Sequence, residues 1–307
     1  MRHRRSPLSL LALCLLCLLS STSSAKVKVT ATLPSLAALA QDVGGPHVEV
    51  EVLASPHQDP HYVDPRPSYV LHLAKADLLV VNGLELEAAW LAPLLVQSRN
   101  PKIQLGSAGY LDASLVVARQ QVPQGGIDRS QGDIHPGGNP HFLFDPRQAE
   151  RIAQELGRRL ALVDPAHGAE FEQRASDLVV KLHDFADAQR ARFATLPPGR
   201  RKVVSYHSSL VYLYDWLGLV EIATIEPKPG IPPTPAHVAH VLKTMKANGT
   251  RLIVQEEYYP KSTSSTLAQL AGGALVLLDG GAHHREGQSY LDHTQKNVEA
   301  LYAALSR

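Results

Sequence analysis

Residues 26–55, KVKVTATLPSLAALAQDVGGPHVEVEVLAS, change pattern twice. KVKVTATL is rich in β-branched residues with a period of two. PSLAALAQDV opens on proline and repeats apolar residues at helical spacing, and VEVEVLAS returns to a period of two. A strand, a helix and a strand in so short a span make a βα unit. Such units predict a parallel sheet, because parallel neighbours need a crossover between them.

The alternation continues outward through RPSYVLHLAKA, DLLVVN and LELEAAWLAPLLVQS, and KIQL at 102–105 reads as a further strand. It stops at residues 121–140, QVPQGGIDRSQGDIHPGGNP, a polar Gly- and Pro-rich surface loop. From about Pro146 to Leu162, and after an Asp164-Pro165 break on to about Ala194, the pattern is helical. Alternation resumes with KVVSY (202–206), LVEIATI (219–225), RLIVQE (251–256) and ALVLLD (274–279). The Pro-rich EPKPGIPPTP (226–235) leads into a helix from Pro235. The predicted class is α/β: an N-terminal βα lobe over 26–163, a long rigid linking helix over 164–196, and a C-terminal βα lobe over 197–307. Both lobes have parallel sheets, and a chain of this length has material for two cores.

Residues 1–25, MRHRRSPLSLLALCLLCLLSSTSSA, have the basic start, the apolar run and the small residues of a cleavable secretory signal. The run from Leu8 to Leu19 falls short of the roughly 20 residues a spanning helix needs. Cys14 and Cys17 both lie inside it, each behind a leucine where a lipid-attachment site wants a small residue, so lipid anchoring is not expected. Cleavage after Ala25 leaves no cysteine, which excludes disulfides and thiolate metal sites. Without Arg2, Arg4 and Arg5 the net charge is about −2, which gives no footing for nucleic acid.

Open parallel sheets bind ligands beyond the carboxyl ends of their strands. His57 and His61 follow VEVEVLAS, His207 follows KVVSY, Asp279 ends ALVLLD, and His141 precedes a helix opening at Asp145-Pro146. Three imidazoles and a carboxylate suit a tetrahedral Zn²⁺ site. Pro60, Pro65 and Pro67 stiffen the loop of His61 (SPHQDPHYVDPRPSYV, 55–70), and Pro140 precedes His141, which reduces the entropy lost in holding a ligand.

DPHYVDPRPS (59–68) followed by ADLLVVNGLELEAAWL (76–91) resembles the first-ligand region of the zinc and manganese solute-binding proteins of ABC transporters. NPHFLFDPRQA (139–149), VSYHSSLVYLYDWLGL (204–219), and VLLDGG with SYLDHTQKNVEAL are similar to that family's later blocks, in order and across essentially the whole mature chain. The resemblance places His61, His141, His207 and Asp279 at the metal-ligand positions, two from each lobe, with the metal in the inter-lobe cleft. It also implies a monomeric extracytoplasmic (periplasmic) carrier, not an enzyme, delivering its ion to a membrane permease driven by a cytoplasmic ATPase. Manganese members typically carry Glu at the third position, so His207 points to the zinc branch. Asn139, Leu143 and Gly280 depart from the family's common Asp, Trp and Pro. The alternatives are a carrier of manganese or another divalent metal, a surface adhesin, or a secreted zinc hydrolase; the last lacks any H-E-x-x-H motif. His57, His135, His283 and His284 stand as loop histidines or transient ligands. Glu256 and Glu257 read as salt-bridged strand-end acids, with orienting a ligand or replacing Asp279 as the other possibility.

Overall fold

The computed structural model describes residues 25–125, 132 and 134–307; the expected signal, up to Ser24, lies outside the described residues. β1 (Val27–Ala31) exposes Lys28 and buries Val27, Val29 and Ala31. After α1 (Pro34–Gly44), β2 (Val48–Val52) lies parallel to β1, with Val29 opposite Val50. β3 (Leu78–Val81), reached through α2 (Pro67–Lys75), is buried on both faces, as the centre of a parallel sheet requires. α3 (Leu91–Ser98) and the short β4 (Tyr110–Asp112) complete a sheet of order β2-β1-β3-β4.

α4 (Pro146–Val163) starts on the Asp145 cap, whose carboxylate accepts from the Arg147 amide at 2.9 Å. α5 (Gly168–Ala194) follows a 3₁₀ turn over Pro165–His167. The second sheet holds β5 (Lys202–Ser205), β6 (Val220–Thr224), β7 (Leu252–Glu256) and β8 (Ala274–Leu278) in the order β6-β5-β7-β8, again all parallel. Its helices are α6 (Val211–Leu217), α7 (Pro235–Asn248), α8 (Lys261–Leu270) and α9 (Tyr290–Leu305). Among the described residues no helix is long and apolar enough to cross a membrane.

Two helices tie the halves together. Phe171, Ala175, Leu178 and Leu182 of α5 belong to the first core, while Ala186 and Phe193 belong to the second. α6 fastens that second half, its Trp216 indole donating to the Ala186 carbonyl at 3.0 Å. α9 crosses as well: Tyr290 is buried in the first core and donates to the Leu143 carbonyl at 2.9 Å, whereas Val298, Leu301 and Leu305 fill the second.

Two local expectations differ from the structure. KIQL forms a 3₁₀ turn over Pro101–Ile103, and the fourth strand lies further on. Asn100 caps that turn and donates to the Leu73 and Ala76 carbonyls, while Leu105 stays 83% exposed. The helix expected from Leu84 begins only at Leu91. The Glu87 carboxylate accepts from the Asn82 and Gly83 amides and from the Thr32 hydroxyl, and the chain then passes through positive φ at Leu84 and Glu85. That buried acid, whose pKa burial raises, joins the turns after β1 and β3.

Candidate metal centre

Three of the four expected ligands meet. Ligating nitrogens of His61, His141 and His207, all three side chains buried, lie within 4.8 Å of one another. They come from the loops after β2, before α4 and after β5, so the carboxyl-end loops of both sheets converge there. Among the described residues this is the only such group of three histidine, cysteine or acidic side chains.

A hydrogen bond to the backbone next to each N-terminal histidine sets its position. The Trp90 indole donates to the Pro60 carbonyl at 3.0 Å, fixing the residue before His61. Asn82 donates to the Pro140 carbonyl at 3.0 Å, fixing the residue before His141. Asn139 then joins the halves: its side-chain oxygen accepts from the His141 amide at 3.0 Å, and its Nδ2 donates to the Ser208 carbonyl at 2.6 Å, next to His207. An ionised Asp there could accept but not donate, so the departure at Asn139 has a physical role. Tyr212 adds a bond to the Asn139 carbonyl at 2.9 Å.

Carboxylates set the tautomers. His207 Nδ1 lies 2.7 Å from Glu226 Oε2, and His61 Nδ1 lies 2.7 Å from Asp59 Oδ1. An ionised carboxylate only accepts, so Nδ1 carries the hydrogen in both rings and Nε2 keeps its lone pair. Burial works against protonation of His207, but Glu226, with Glu256 and Asp59, outweighs it and holds the pKa above the usual histidine value. His141 has no such partner: burial, then the neighbouring His61, His207 and His135, push its pKa well below the ordinary range. Its Nε2 is buried and has no hydrogen-bond partner among the described residues. A buried ring nitrogen left unpartnered beside two other imidazoles is costly unless a cation completes it. The donor set therefore suits a divalent ion that favours nitrogen, with the Asp59 and Glu226 charges behind it.

Asp279 is placed differently. Its Oδ2 lies 2.5 Å from Lys296 Nζ and 3.7 Å from His283 Nε2, and it is not among the three grouped residues. Of the loop histidines, His135 reaches the site, its Nε2 3.2 Å from His61 Nε2. His57 instead packs edge-on to His283 at 5.1 Å between ring centroids. His284 lines a groove with Asp42, Glu51 and Arg285 away from the three histidines. Glu256 is fully buried and makes no salt bridge among the described residues. Burial raises its pKa to about 7, against the opposing pull of Ser209 and His207. The expected salt-bridged acid is thus a buried one beside Ser209 and His207. Tyr212, Tyr214 and Trp216 are buried in the packing. Glu226 was missed: it lies just past β6, where the rule that singled out His207 also applies.

The chain matches the family model described as "Zinc-uptake complex component A periplasmic" (ZnuA) over residues 29–304. It is 22% identical to the manganese ABC transporter substrate-binding lipoprotein PsaA of Streptococcus anginosus, over 94% of this chain and 92% of that protein. It is 23% identical to the zinc-binding lipoprotein AdcA of Streptococcus pneumoniae, over 90% of this chain and 55% of the longer relative. A crystal structure of a zinc-bound ZnuA deletion mutant superposes with a TM-score of 0.75 at 23% identity, over 90% of this chain and 95% of that one. The structural likeness establishes the two-lobed fold.

Proposed function

The chain belongs to the periplasmic zinc-uptake component family of metal-binding ABC-transporter proteins, which bind and do not catalyse, and on that premise we propose that it carries Zn²⁺. In this reading His61, His141 and His207 hold the ion, Asp279 supplies a fourth donor, and the loaded monomer delivers it to a membrane permease. The supporting observation is the convergence of three histidine nitrogens within 4.8 Å, with the His141 Nε2 lone pair unpartnered. Such a set binds zinc well, whereas manganese favours oxygen-rich shells. Because α5 and α9 both cross between the cores, loading is expected to move the lobes little. A secretory leader cleaved after Ala25 and an extracytoplasmic location, without lipid attachment, belong to the same proposal.

Stoichiometric Zn²⁺ is expected to raise the melting temperature of metal-free protein, since the ion binds the folded state. At a hundredfold excess over Kd the gain is about 2.7 kcal/mol. Mn²⁺ at the same free concentration is expected to give a much smaller shift. Equal shifts in a differential scanning calorimeter would overturn the zinc assignment.

A further inference from the structure

The fourth donor is already in use. Asp279 is 8% exposed, and its Oδ2 accepts a charged hydrogen bond from Lys296 Nζ at 2.5 Å. Its backbone is clamped by Asn297, one residue further along α9: the Asp279 amide donates to Asn297 Oδ1 at 2.9 Å, and Asn297 Nδ2 donates to the Asp279 carbonyl at 3.0 Å. These two bonds anchor the Asp279 main chain on the helix that carries Lys296. His283 at 3.7 Å, His293 and Glu257 are the other titratable groups that face it. The Lys296 side chain is 60% exposed, so its head group keeps contact with water while it holds a nearly buried partner.

We propose that Lys296 is a specificity-determining residue: by engaging Asp279 it weakens the one carboxylate donor and biases the site toward ions that imidazole holds well. The inference rests on the metal-carrier reading above. An ammonium on the carboxylate draws off charge that a metal would otherwise receive, and a cation close to the site opposes every dication to a similar degree. The first effect is selective. Zinc gets most of its binding from three nitrogens and loses little when the carboxylate is weakened. Manganese depends on oxygen donors and loses more. No ammonium meets the three histidines: Glu226 and Asp59 hold two of them by Nδ1, and His61 Nε2 has only the His135 ring beside it, at 3.2 Å. The same chain thus strengthens its nitrogen donors and restrains its oxygen donor.

The test compares Zn²⁺ and Mn²⁺ dissociation constants, by competition with a chromophoric chelator, in wild type, Lys296→Gln, Lys296→Arg and Lys296→Gln with Asp279→Asn. Freed of its partner, Asp279 is expected to raise Mn²⁺ affinity by about tenfold and Zn²⁺ affinity by about threefold or less in Lys296→Gln, so the preference for zinc narrows. Lys296→Arg keeps the pair and the wild-type ratio. The double variant loses the gain in Mn²⁺ affinity, because the residue through which Lys296 acts is gone. An unchanged ratio in Lys296→Gln, equal gains for both ions, or a shift that persists in the double variant overturns the proposal. The exposed position of Lys296 keeps these variants foldable, which a melt of each metal-free protein verifies. If wild type binds neither ion tightly, the carrier reading itself fails. If wild type binds zinc through its histidines and the ratio alone stays fixed, only the role of Lys296 fails.

Discussion

Zn²⁺ affinity is expected to fall by about a thousandfold or more in His61→Ala and to change by less than about threefold in His57→Ala. Both histidines follow β2 and both looked able to bind a metal, but the structure separates them. His61 is buried with Asp59 on Nδ1, and it offers a ring nitrogen within 4.8 Å of those of the other two histidines. His57 is exposed and rests against His283. Truncating His61 removes a nitrogen donor from a desolvated site and leaves Asp59 without the ring it holds, so the ion loses one of its bonds. Truncating His57 removes a surface ring. Competition titrations of the two variants distinguish them, and normal binding by His61→Ala with loss in His57→Ala would reverse the placement of this loop. Protons enter here too. Because the pKa of His141 lies well below the usual range, it stays neutral as pH falls through 6.5, and at most two histidines release protons on binding. The dependence on pH is therefore shallower than three ordinary histidines give.

Glu226→Gln is expected to lower Zn²⁺ affinity by about 10- to 100-fold at pH 8 while leaving all three ligand histidines in place. The carboxylate fixes the His207 tautomer and adds basicity at Nε2, the atom offered to the metal. The proton and the metal compete for that same atom. With Glu226 present the His207 pKa lies above the ordinary 6.5, so wild-type affinity starts to fall at a higher pH than for an isolated histidine. Removing Glu226 lowers that pKa, and the variant loses less affinity on acidification. The gap between the two proteins should therefore narrow between pH 8 and pH 6. A gap that widens as pH falls means Glu226 does not act through His207. Glu226 Oε2 also accepts from the Gly230 amide at 3.0 Å, a bond the glutamine can keep, so the loop need not unfold.

Much of the architecture was legible because the signals were redundant. β1, β3 and β7 are apolar runs bounded by turn residues, and the alternation with helical stretches leaves a parallel sheet as the simple solution. His61, His141 and His207 were legible for a different reason, since strand-end position and family resemblance picked the same residues. Their supports were not. Trp90 reaches Pro60 and Asn82 reaches Pro140 across 30 and 58 residues of sequence, and no local pattern announces such pairs. The dual role of Asn139 is visible only once the two loops meet. Lys296 could not be singled out in sequence, because a helical period gives a residue's face but not what waits opposite. KIQL was misread because its apolar residues alternate without a sheet edge to receive them, and Leu105 remains in solvent.

X-ray absorption at the zinc edge of stoichiometrically loaded protein tests the central claim most directly, because it counts imidazoles around the ion. Three histidine rings with Zn–N distances of about 2.0–2.1 Å are predicted, falling to two in His141→Ala. A shell with no more than one imidazole, or one that His141→Ala leaves unchanged, would contradict the account.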